Sequence, residues 1–275
     1  ADPRPPAPAP AALVGRVLLA EDNPVNQQVG EAMLAKLGLA VQFAADGEEA
    51  VRLTQTESFD LILMDCHMPV MDGYEASLAI RAGAPAQRVP IIALTANVME
   101  GNRERCLAAG MDDFLAKPYS LEQLQEVLWR WMPSAADPAP ADGIPPAAAS
   151  TQAAQDEAAI DRSFLEQFRA LDPAGGLALA ERIVGVYLDS CGKSFSQIEE
   201  AAAAGDGEGL RRAAHSLKSS SGNVGAKPLY ALLREFEGFG REGRIDEARA
   251  RLDALRQAFA RACGALRALR EEIRS

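Results

Sequence analysis

Five short apolar runs alternate with amphipathic helical stretches through the first half of the chain. Each run is too short to form a buried helix, and the stretches between them repeat their apolar residues every three or four positions. Strands joined by helices pair in parallel, with helices on both faces of the sheet. The pattern predicts an α/β domain with a doubly wound, five-stranded parallel sheet. The predicted strands are 16–20, 40–45, 60–64, 90–96 and 113–117, and the predicted helices are 24–37, 47–56, 73–82, 98–109 and 121–132.

The second half of the chain shows helical periodicity alone. Asp206 is suited to the N-cap of one of these helices, and Pro228 is suited to the first turn of the next. Long helices joined by short turns predict an all-α, four-helix-type antiparallel bundle. The predicted helices are 160–171, 175–190, 192–204, 207–222, 226–240 and 244–273.

A segment rich in proline, alanine and serine separates the two halves. Residues 133–155 hold almost no large apolar side chains, so they cannot bury a core and are predicted to form a flexible linker. The first domain is therefore placed at 15–132 and the second at 156–275. Residues 1–14 begin with ADPRPPAPAP and no initiator Met. We expect them to be a Pro/Ala tether that continues from a longer protein.

Charge is distributed unevenly between the two halves. The chain has a formal net charge of −11. Residues 13–132 hold 17 acidic and 9 basic side chains, net −8, whereas residues 156–275 hold 19 and 18, net −1. Acidic surfaces repel nucleic-acid phosphates, so nucleic acid is not expected as a direct partner.

Hydropathy and cysteine usage indicate a location inside the cell. No apolar run approaches the roughly 18 residues that span a bilayer, and no signal peptide stands at the N-terminus. The four cysteines lack metal-ligand spacing and are predicted to be reduced thiols. We expect a cytoplasmic fragment without membrane contact of its own, from a parent protein that other segments could anchor in the inner membrane.

Polar and charged side chains stand where the predicted strands end. Glu21 and Asp22 follow the first strand, Asp65 the third, Thr95 ends the fourth and Lys117 the fifth. The carboxyl ends of parallel strands form one edge of the sheet, and neighbouring strands lie about 4.8 Å apart. Three carboxylates this close repel one another unless a hard cation such as Mg²⁺ neutralises them. Asp65, at a strand tip before a Pro/Gly loop, is the candidate nucleophile toward a phosphoryl group.

These residues carry a resemblance to the response-regulator receiver domain, which has a flavodoxin-like fold. It covers residues 15–132 and rests on LLAEDNPVNQ, DLILMDCHMPVMDGYE, PIIALTAN and DDFLAKPYS. The resemblance implies a phosphoacceptor at Asp65 and a metal site for Mg²⁺. It further implies metal ligation by Glu21, Asp22, Asp65 and the backbone carbonyl of His67, phosphate contacts from Thr95 and Lys117, and a switch formed by Thr95 and Phe114. The imidazole of His67 is expected to face solvent.

A metal-dependent phosphatase of the haloacid-dehalogenase type also uses an aspartyl nucleophile. That chemistry requires a second aspartate two residues after the nucleophile as the general acid. Here the position is His67, and the order of the motifs also differs. The sequence therefore favours the receiver over the phosphatase.

The stretch RRAAHSLKSSSGN contains His215, one of only two histidines in the chain. On a helical projection His215 lies about 140° from Leu210 and about 160° from Leu217, away from the apolar stripe. The position predicts an exposed imidazole, which is an ordinary surface histidine or a nucleophile presented to a partner. Arg212 and Lys218 would supply positive charge for a phosphoryl group, and the small residues 219–222 would let another protein approach closely.

The motif AAHSLKSSSGNVGA resembles the signature of the histidine-containing phosphotransfer (Hpt) domain, a helical bundle. The resemblance covers 160–273 and implies that His215 is the phosphorylated histidine and Lys218 the basic residue one turn on. The family commonly has Gly after that lysine, whereas this chain has Ser219.

Together the two resemblances imply a phosphorelay within the C-terminal part of a hybrid sensor histidine kinase. An upstream kinase histidine would phosphorylate Asp65, Asp65 would pass the group to His215, and His215 would pass it to the receiver domain of a downstream response regulator. No ATP-binding kinase motif occurs in these residues, so we expect no autophosphorylation from ATP. The alternative is a regulatory module in which Asp65 gates an upstream domain and His215 is a phosphate sink.

Overall fold

The computed structural model describes residues 13–83, 88–95, 100–132, 159–171 and 175–275. Residues 1–12, all of the predicted linker at 133–155 and the start of the predicted fourth helix lie outside this set. Among the described residues, no helix combines the length and apolar character that a membrane crossing requires. All four cysteines are buried free thiols.

The first half forms one five-stranded parallel sheet, as the alternation of strands and helices predicts. Its strand order is β2-β1-β3-β4-β5, so the winding changes direction between β1 and β3, where α/β sheets form their sites. Every residue of β3 and β4 is buried, which explains why these runs are continuously apolar. The strands are β1 Arg16–Ala20, β2 Ala40–Ala44, β3 Leu61–Asp65, β4 Ile91–Thr95 and β5 Asp113–Ala116.

Five helices cover the two faces of the sheet. Gly38 and Gly110 have φ of +87° and +81° just beyond two of them, in the left-handed region where glycine ends a helix without strain. These helices are α1 Pro24–Lys36, α2 Gly47–Thr56, α3 Gly73–Gly83, α4 Glu100–Ala108 and α5 Leu121–Trp131.

The second half is helical, and four long helices pack as a bundle. Asp206 caps the third of its helices by accepting from the backbone N–H of Gly209, and Pro228 lies in the first turn of the fourth. In this bundle α8 packs against α7 and α9, and α10 packs against the same two helices. The helices are α6 Phe164–Leu171, α7 Gly176–Ala204, α8 Gly207–Asn223, α9 Lys227–Glu242 and α10 Ile245–Arg274.

Two predicted helix boundaries are wrong. The helices expected at 175–190 and 192–204 are one continuous helix, α7. A glycine inside a helix costs only about 1 kcal/mol, and the buried side chains of Tyr187 and Phe195 on either side of Gly192 outweigh that cost. The helix expected from residue 160 begins at Phe164, and the backbone N–H of Asp161, before that start, donates to the carbonyl of Gly225 at 2.7 Å.

The loop after β3 is held against the start of α3 by a close backbone approach at Gly73. A Cβ on Gly73 would lie 2.1 Å from the carbonyl oxygen of Asp65. No real side chain tolerates such a distance, so the residue that follows MPVMD has to be glycine for Asp65 to keep its position.

Gly73→Ala should therefore destabilise the protein by more than about 2 kcal/mol, since overpacking against backbone cannot relax cheaply. Gly83→Ala is the matched control, because it lies in the same helix with no atom within 4 Å of its Cβ position. We expect the control to be neutral or to stabilise by up to about 1 kcal/mol. Urea unfolding curves measure both, and equal midpoints for the two variants would contradict the close approach.

Candidate functional site

The ends of β1, β3 and β5 bring four charged side chains together, as the sequence predicts. Carboxylate oxygens of Glu21, Asp22 and Asp65 all lie within 4.8 Å of one another. The ammonium of Lys117 donates to Asp65 Oδ2 at 2.6 Å and also to a carboxylate oxygen of Glu21. Glu21 and Asp65 are almost fully buried, at 1% and 2% exposure, so Lys117 compensates their charge within the protein.

The carboxylates differ in how readily they hold a negative charge. Burial, together with the charges of Asp65 and Asp22, raises the pKa of Glu21 to about 7 even though Lys117 opposes the shift. Burial and Asp65 likewise raise the pKa of Asp22 to about 6. Burial also acts against the charge of Asp65, but Lys117 and His215 outweigh it and hold its pKa below the usual value. Asp65 is thus the carboxylate that stays ionised, as a nucleophile must.

The three carboxylates are a donor set that fits a hard divalent cation. Mg²⁺ binds through one or two carboxylates with water and phosphate oxygens completing its shell. Two of these three acids carry raised pKa values because they lie so close together in a buried place. A cation between them would relieve that repulsion, so the residues present are compatible with Mg²⁺.

Thr95 and His67 lie at the same edge of the sheet, whereas Phe114 lies within β5. Thr95 is the last residue of β4 and is 2% exposed, and its carbonyl accepts from the backbone N–H of Lys117 at 2.7 Å. The backbone N–H of His67 donates to Asp65 Oδ1 at 3.1 Å. Phe114, on β5, is partly buried against the core on the opposite face of the sheet from α1.

The bundle docks on this edge of the sheet and places His215 beside Asp65. The first helix of the sheet domain, α1, packs against α6, α7 and α8. The ring of His215 lies 4.9 Å from the ring of His67, centroid to centroid. A ring nitrogen of each histidine and a carboxylate oxygen of Asp65 lie within 4.8 Å of one another.

This docking corrects two expectations about exposure. The helical projection predicts an exposed His215, whereas the side chain is only 5% exposed. The projection identifies the face that the bundle leaves open, and the sheet domain then covers that face. His67, expected to face solvent, lies against His215 instead, and burial followed by the charge of His215 lowers its pKa to about 4.

Glu237, on α9, contacts both His215 and Lys218 and is not singled out by the sequence. Its Oε1 lies 2.7 Å from His215 Nδ1, and its other oxygen accepts from Lys218. Lys218 is buried, at 5% exposure. Its ammonium is paired with Glu237 and is not a free positive charge at the surface. The contact joins residues 22 positions apart on different helices, and nothing in the local sequence around Glu237 marks it.

Five polar side chains, which we call the interdomain clasp, join α1 to α8. Asn23 caps α1 through its side-chain oxygen, and its Nδ2 donates to the carbonyl of Ser216 at 3.1 Å and to the hydroxyl of Ser216 at 3.2 Å. Asn26 Nδ2 donates to Ser219 Oγ at 2.9 Å, and Asn223 Nδ2 donates to Asn26 Oδ1 at 2.8 Å. None of the three asparagines is singled out by the sequence, although Asn23 and Asn26 stand within LLAEDNPVNQ, the motif that carries Glu21 and Asp22.

The chain matches two family models in the order that the fold suggests. Residues 17–128 match the response regulator receiver domain, and residues 182–271 match the Hpt domain. The signal transduction histidine-protein kinase BarA of Escherichia coli K12 is 31% identical over 235 residues, which are 86% of this chain and 25% of that protein. The sensor histidine kinase GacS of Pseudomonas protegens is 34% identical over 81% of this chain and 24% of its own length. The chain thus spans about a quarter of these curated relatives.

Solved structures similar to the chain cover mainly its first half. The receiver domain of the sensor histidine kinase PA1611 from Pseudomonas aeruginosa, described with a magnesium ion in its active-site cleft, is 54% identical over 45% of this chain and 98% of its own, with a TM-score of 0.40. A co-crystal structure of Ypd1 with the receiver domain of Ssk1 from Saccharomyces cerevisiae matches at 32% identity over 44% of this chain and 90% of that chain, with a TM-score of 0.42.

Glu237→Gln should destabilise the protein at neutral pH by on the order of 2 kcal/mol, less toward acid pH. Burial alone would raise the pKa of Glu237, but His215 and Lys218 lower it to about 2. An acid whose pKa falls on folding stabilises the protein above its unfolded pKa of about 4.5, and the stabilisation is lost as pH falls from there toward 2. Glu235→Gln on the same helix, where an exposed pair with Arg251 is removed, should change stability by less than about 1 kcal/mol. Unfolding curves between pH 7 and 3 measure the free energy of unfolding of both variants. A loss of stability in Glu237→Gln that does not change with pH would contradict the charge interaction.

Proposed function

We propose that this chain, which belongs to the phosphorelay proteins and joins a response regulator receiver domain to an Hpt domain, carries a phosphoryl group from Asp65 to His215 within one molecule. The observation behind the proposal is the approach of these two side chains to within 4.8 Å across the docked domains. Near-attack distances are about 3–3.5 Å, so this separation leaves room for one phosphorus atom between the two reacting atoms.

The first step takes place at Asp65. One of its carboxylate oxygens attacks the phosphorus of a phosphohistidine on an upstream kinase domain. The P–N bond breaks, an acyl phosphate forms on Asp65, and the donor imidazole leaves. Lys117, buried at 2.6 Å from Asp65, would neutralise negative charge on the phosphoryl oxygens. We propose that Thr95, at the neighbouring strand end, donates its hydroxyl to one of those oxygens once the phosphoryl group is present.

We propose that a divalent cation assists this first step. When bound by Glu21, Asp22, Asp65 and the backbone carbonyl of His67, Mg²⁺ would supply positive charge that stabilises the phosphoryl group in transfer. Asn26 Nδ2 donates to Glu21 Oε1 at 2.8 Å and so orients that carboxylate. We propose Thr95 and Phe114 as the pair that changes packing after phosphorylation.

The second step takes place at His215. As hydrogen-bond acceptor for the Nδ1–H, Glu237 fixes the tautomer in which Nε2 carries the lone pair. Nε2 attacks the phosphorus, the P–O bond to Asp65 breaks, and the carboxylate returns to Lys117. The positive charge that develops on the imidazole is stabilised by Glu237, which lies 2.7 Å from Nδ1.

Partners follow from the two ends of the relay. We propose a histidine kinase domain of the parent protein as the donor and the receiver domain of a separate response regulator as the acceptor, all in the cytoplasm. His215 is only 4% exposed in the docked arrangement. A downstream receiver therefore reaches it only after the receiver of this chain has moved away.

Labelled acetyl phosphate with Mg²⁺ tests the order of transfer in the intact chain. We expect label first on Asp65, as an alkali-labile acyl phosphate, and then on His215, as an acid-labile phosphoramidate. Asp65→Asn should abolish both signals, and His215→Gln should leave only the acyl phosphate. Asp189→Asn, at an exposed carboxylate on α7, is the matched control and should behave as the wild type.

The same experiment separates the relay from a regulatory module. Label that reaches His215 in Asp65→Asn would overturn the proposed order. Label that reaches His215 but is never passed to any receiver added in trans would favour a phosphate sink.

Ser219→Gly should slow the transfer from Asp65 to His215 by about two- to tenfold, because one interdomain hydrogen bond contributes about 0.5–1.5 kcal/mol. Ser219 accepts from Asn26 across the interface. The control Ser196→Gly has the same cost in helix propensity on α7 but lies at an exposed position. Single-turnover transfer measures both variants, and equal rates for the two would contradict a role of Ser219 in docking.

A further inference from the structure

Both histidines of the chain lie in one pocket between the two domains. The sequence contains no others, yet His67 of the receiver and His215 of the Hpt domain have their rings 4.9 Å apart. A ring nitrogen of each and a carboxylate oxygen of Asp65 lie within 4.8 Å of one another. The proposed phosphoryl transfer uses the side chains of Asp65 and His215, and the imidazole of His67 has no role in it.

Two buried nitrogens in this pocket have no partner within the described residues. They are Nε2 of His215 and Nδ1 of His67, and the His215 side chain is only 5% exposed. A buried polar atom without a hydrogen bond costs about 1–3 kcal/mol and calls for an explanation. Two such nitrogens beside an ionised carboxylate are explained together by a bound cation.

The donor atoms select the kind of cation. Imidazole nitrogens favour zinc and its neighbours among the transition metals, whereas Mg²⁺ prefers an all-oxygen shell. Metal-bound histidines usually donate their second ring N–H to a carboxylate, which fixes the ring and aims the other nitrogen at the metal. Glu237 has this relation to His215, because its Oε1 lies 2.7 Å from Nδ1 and leaves Nε2 available.

We propose that the docked domains form a binding site for Zn²⁺ or a similar transition-metal ion, with Asp65, His67 and His215 as ligands. Two imidazoles and one carboxylate are a ligand set that zinc sites use, with a fourth position for water. Tetrahedral bonds of about 2.0–2.1 Å separate the ligand atoms by about 3.3 Å, so the present spacing closes by roughly 1.5 Å at most when the ion binds. This site is distinct from the all-oxygen site at Glu21 and Asp22, although Asp65 belongs to both.

Binding at this site has two consequences. Because the ligands come from both domains, the ion stabilises the docked arrangement over the separated one. Because the ion occupies Nε2 of His215, that nitrogen cannot attack a phosphoryl group. Zn²⁺ therefore inhibits the relay in cis and in trans. The site itself is independent of the proposed function, whereas the inhibition rests on it.

Metal binding to the intact chain tests the site directly. Calorimetry with Zn²⁺, and the visible absorption of Co²⁺ as a probe of coordination, are measured with millimolar Mg²⁺ present to fill the oxygen site. With ¹⁵N-labelled histidine, nuclear magnetic resonance follows the two imidazoles separately, since the chain has only two. We expect one equivalent of metal, tetrahedral Co²⁺ absorption and shifts of both histidines.

Four variants assign the ligands. His67→Gln and His215→Gln should each abolish the tetrahedral Co²⁺ signal. Glu237→Gln should weaken Zn²⁺ binding by about 10- to 100-fold, the usual effect of losing a carboxylate behind a metal-bound histidine. Asp189→Asn is the matched control, because this exposed carboxylate on α7 belongs to neither cluster, and it should leave Zn²⁺ affinity unchanged within about twofold.

Contrary outcomes are equally clear. Binding that survives both histidine variants would overturn the site and assign the metal to the carboxylates or the cysteines, and binding that is lost in Asp189→Asn would also overturn it. If both histidines bind metal but labelled transfer from Asp65 to His215 proceeds at an undiminished rate with saturating Zn²⁺, the inhibition is wrong. Failure of transfer without Zn²⁺ would count against the relay and leave the binding result intact.

Discussion

The ammonium of Lys117 is the charge on which the receiver site depends. Its side chain and those of Glu21 and Asp65 are each 7% exposed or less, so water contributes little to their solvation. Burial opposes the charge of Lys117, but its two carboxylate partners raise its pKa above the ordinary value. This fixed positive charge keeps Asp65 ionised, whereas burial raises the pKa of Glu21 even though the same lysine opposes the shift. The strand order carries these residues to one edge of the sheet, and the close approach at Gly73 holds the loop that follows Asp65.

The Hpt domain is connected to the acidic cluster of the receiver through Asn26. The amide nitrogen of Asn26 donates both to Glu21, at 2.8 Å, and to Ser219 of the bundle, at 2.9 Å, while its oxygen accepts from Asn223. A single side chain thus connects the acidic cluster with the helix that carries His215. Ser219 stands where related Hpt domains commonly have glycine, and its hydroxyl accepts one of these bonds. The departure from the family pattern therefore adds a contact between the two domains of this chain.

Much of the fold is readable from the sequence because it depends on local patterns. The five strands and nine of the ten helices among the described residues follow from apolar periodicity, and Asp206, Pro228 and the two glycines after α1 and α4 mark ends that the structure has. The helix α7 is the main exception, since the sequence suggests a break near Gly192 and the buried residues on both sides override it. The residues of the acidic site were found because parallel strands present their carboxyl ends at one edge. Glu237 and the asparagines of the clasp were not found, because their roles come from contacts between distant segments.

The sequence by itself determined the two domain types, the convergence of Glu21, Asp22, Asp65 and Lys117, and the candidate histidine, because strand alternation, strand ends and helical phase are local properties of the chain. The tertiary structure alone decided the surroundings of that histidine. Helical phase places His215 on the open face of its bundle but cannot say what lies opposite. The docking of α8 on α1 buries the imidazole of His215 beside Asp65 and His67. The helix α9 packs against α8 and brings Glu237 next to Nδ1 of His215. Both are contacts between surfaces, which depend on the shapes of folded domains rather than on any pattern along the chain.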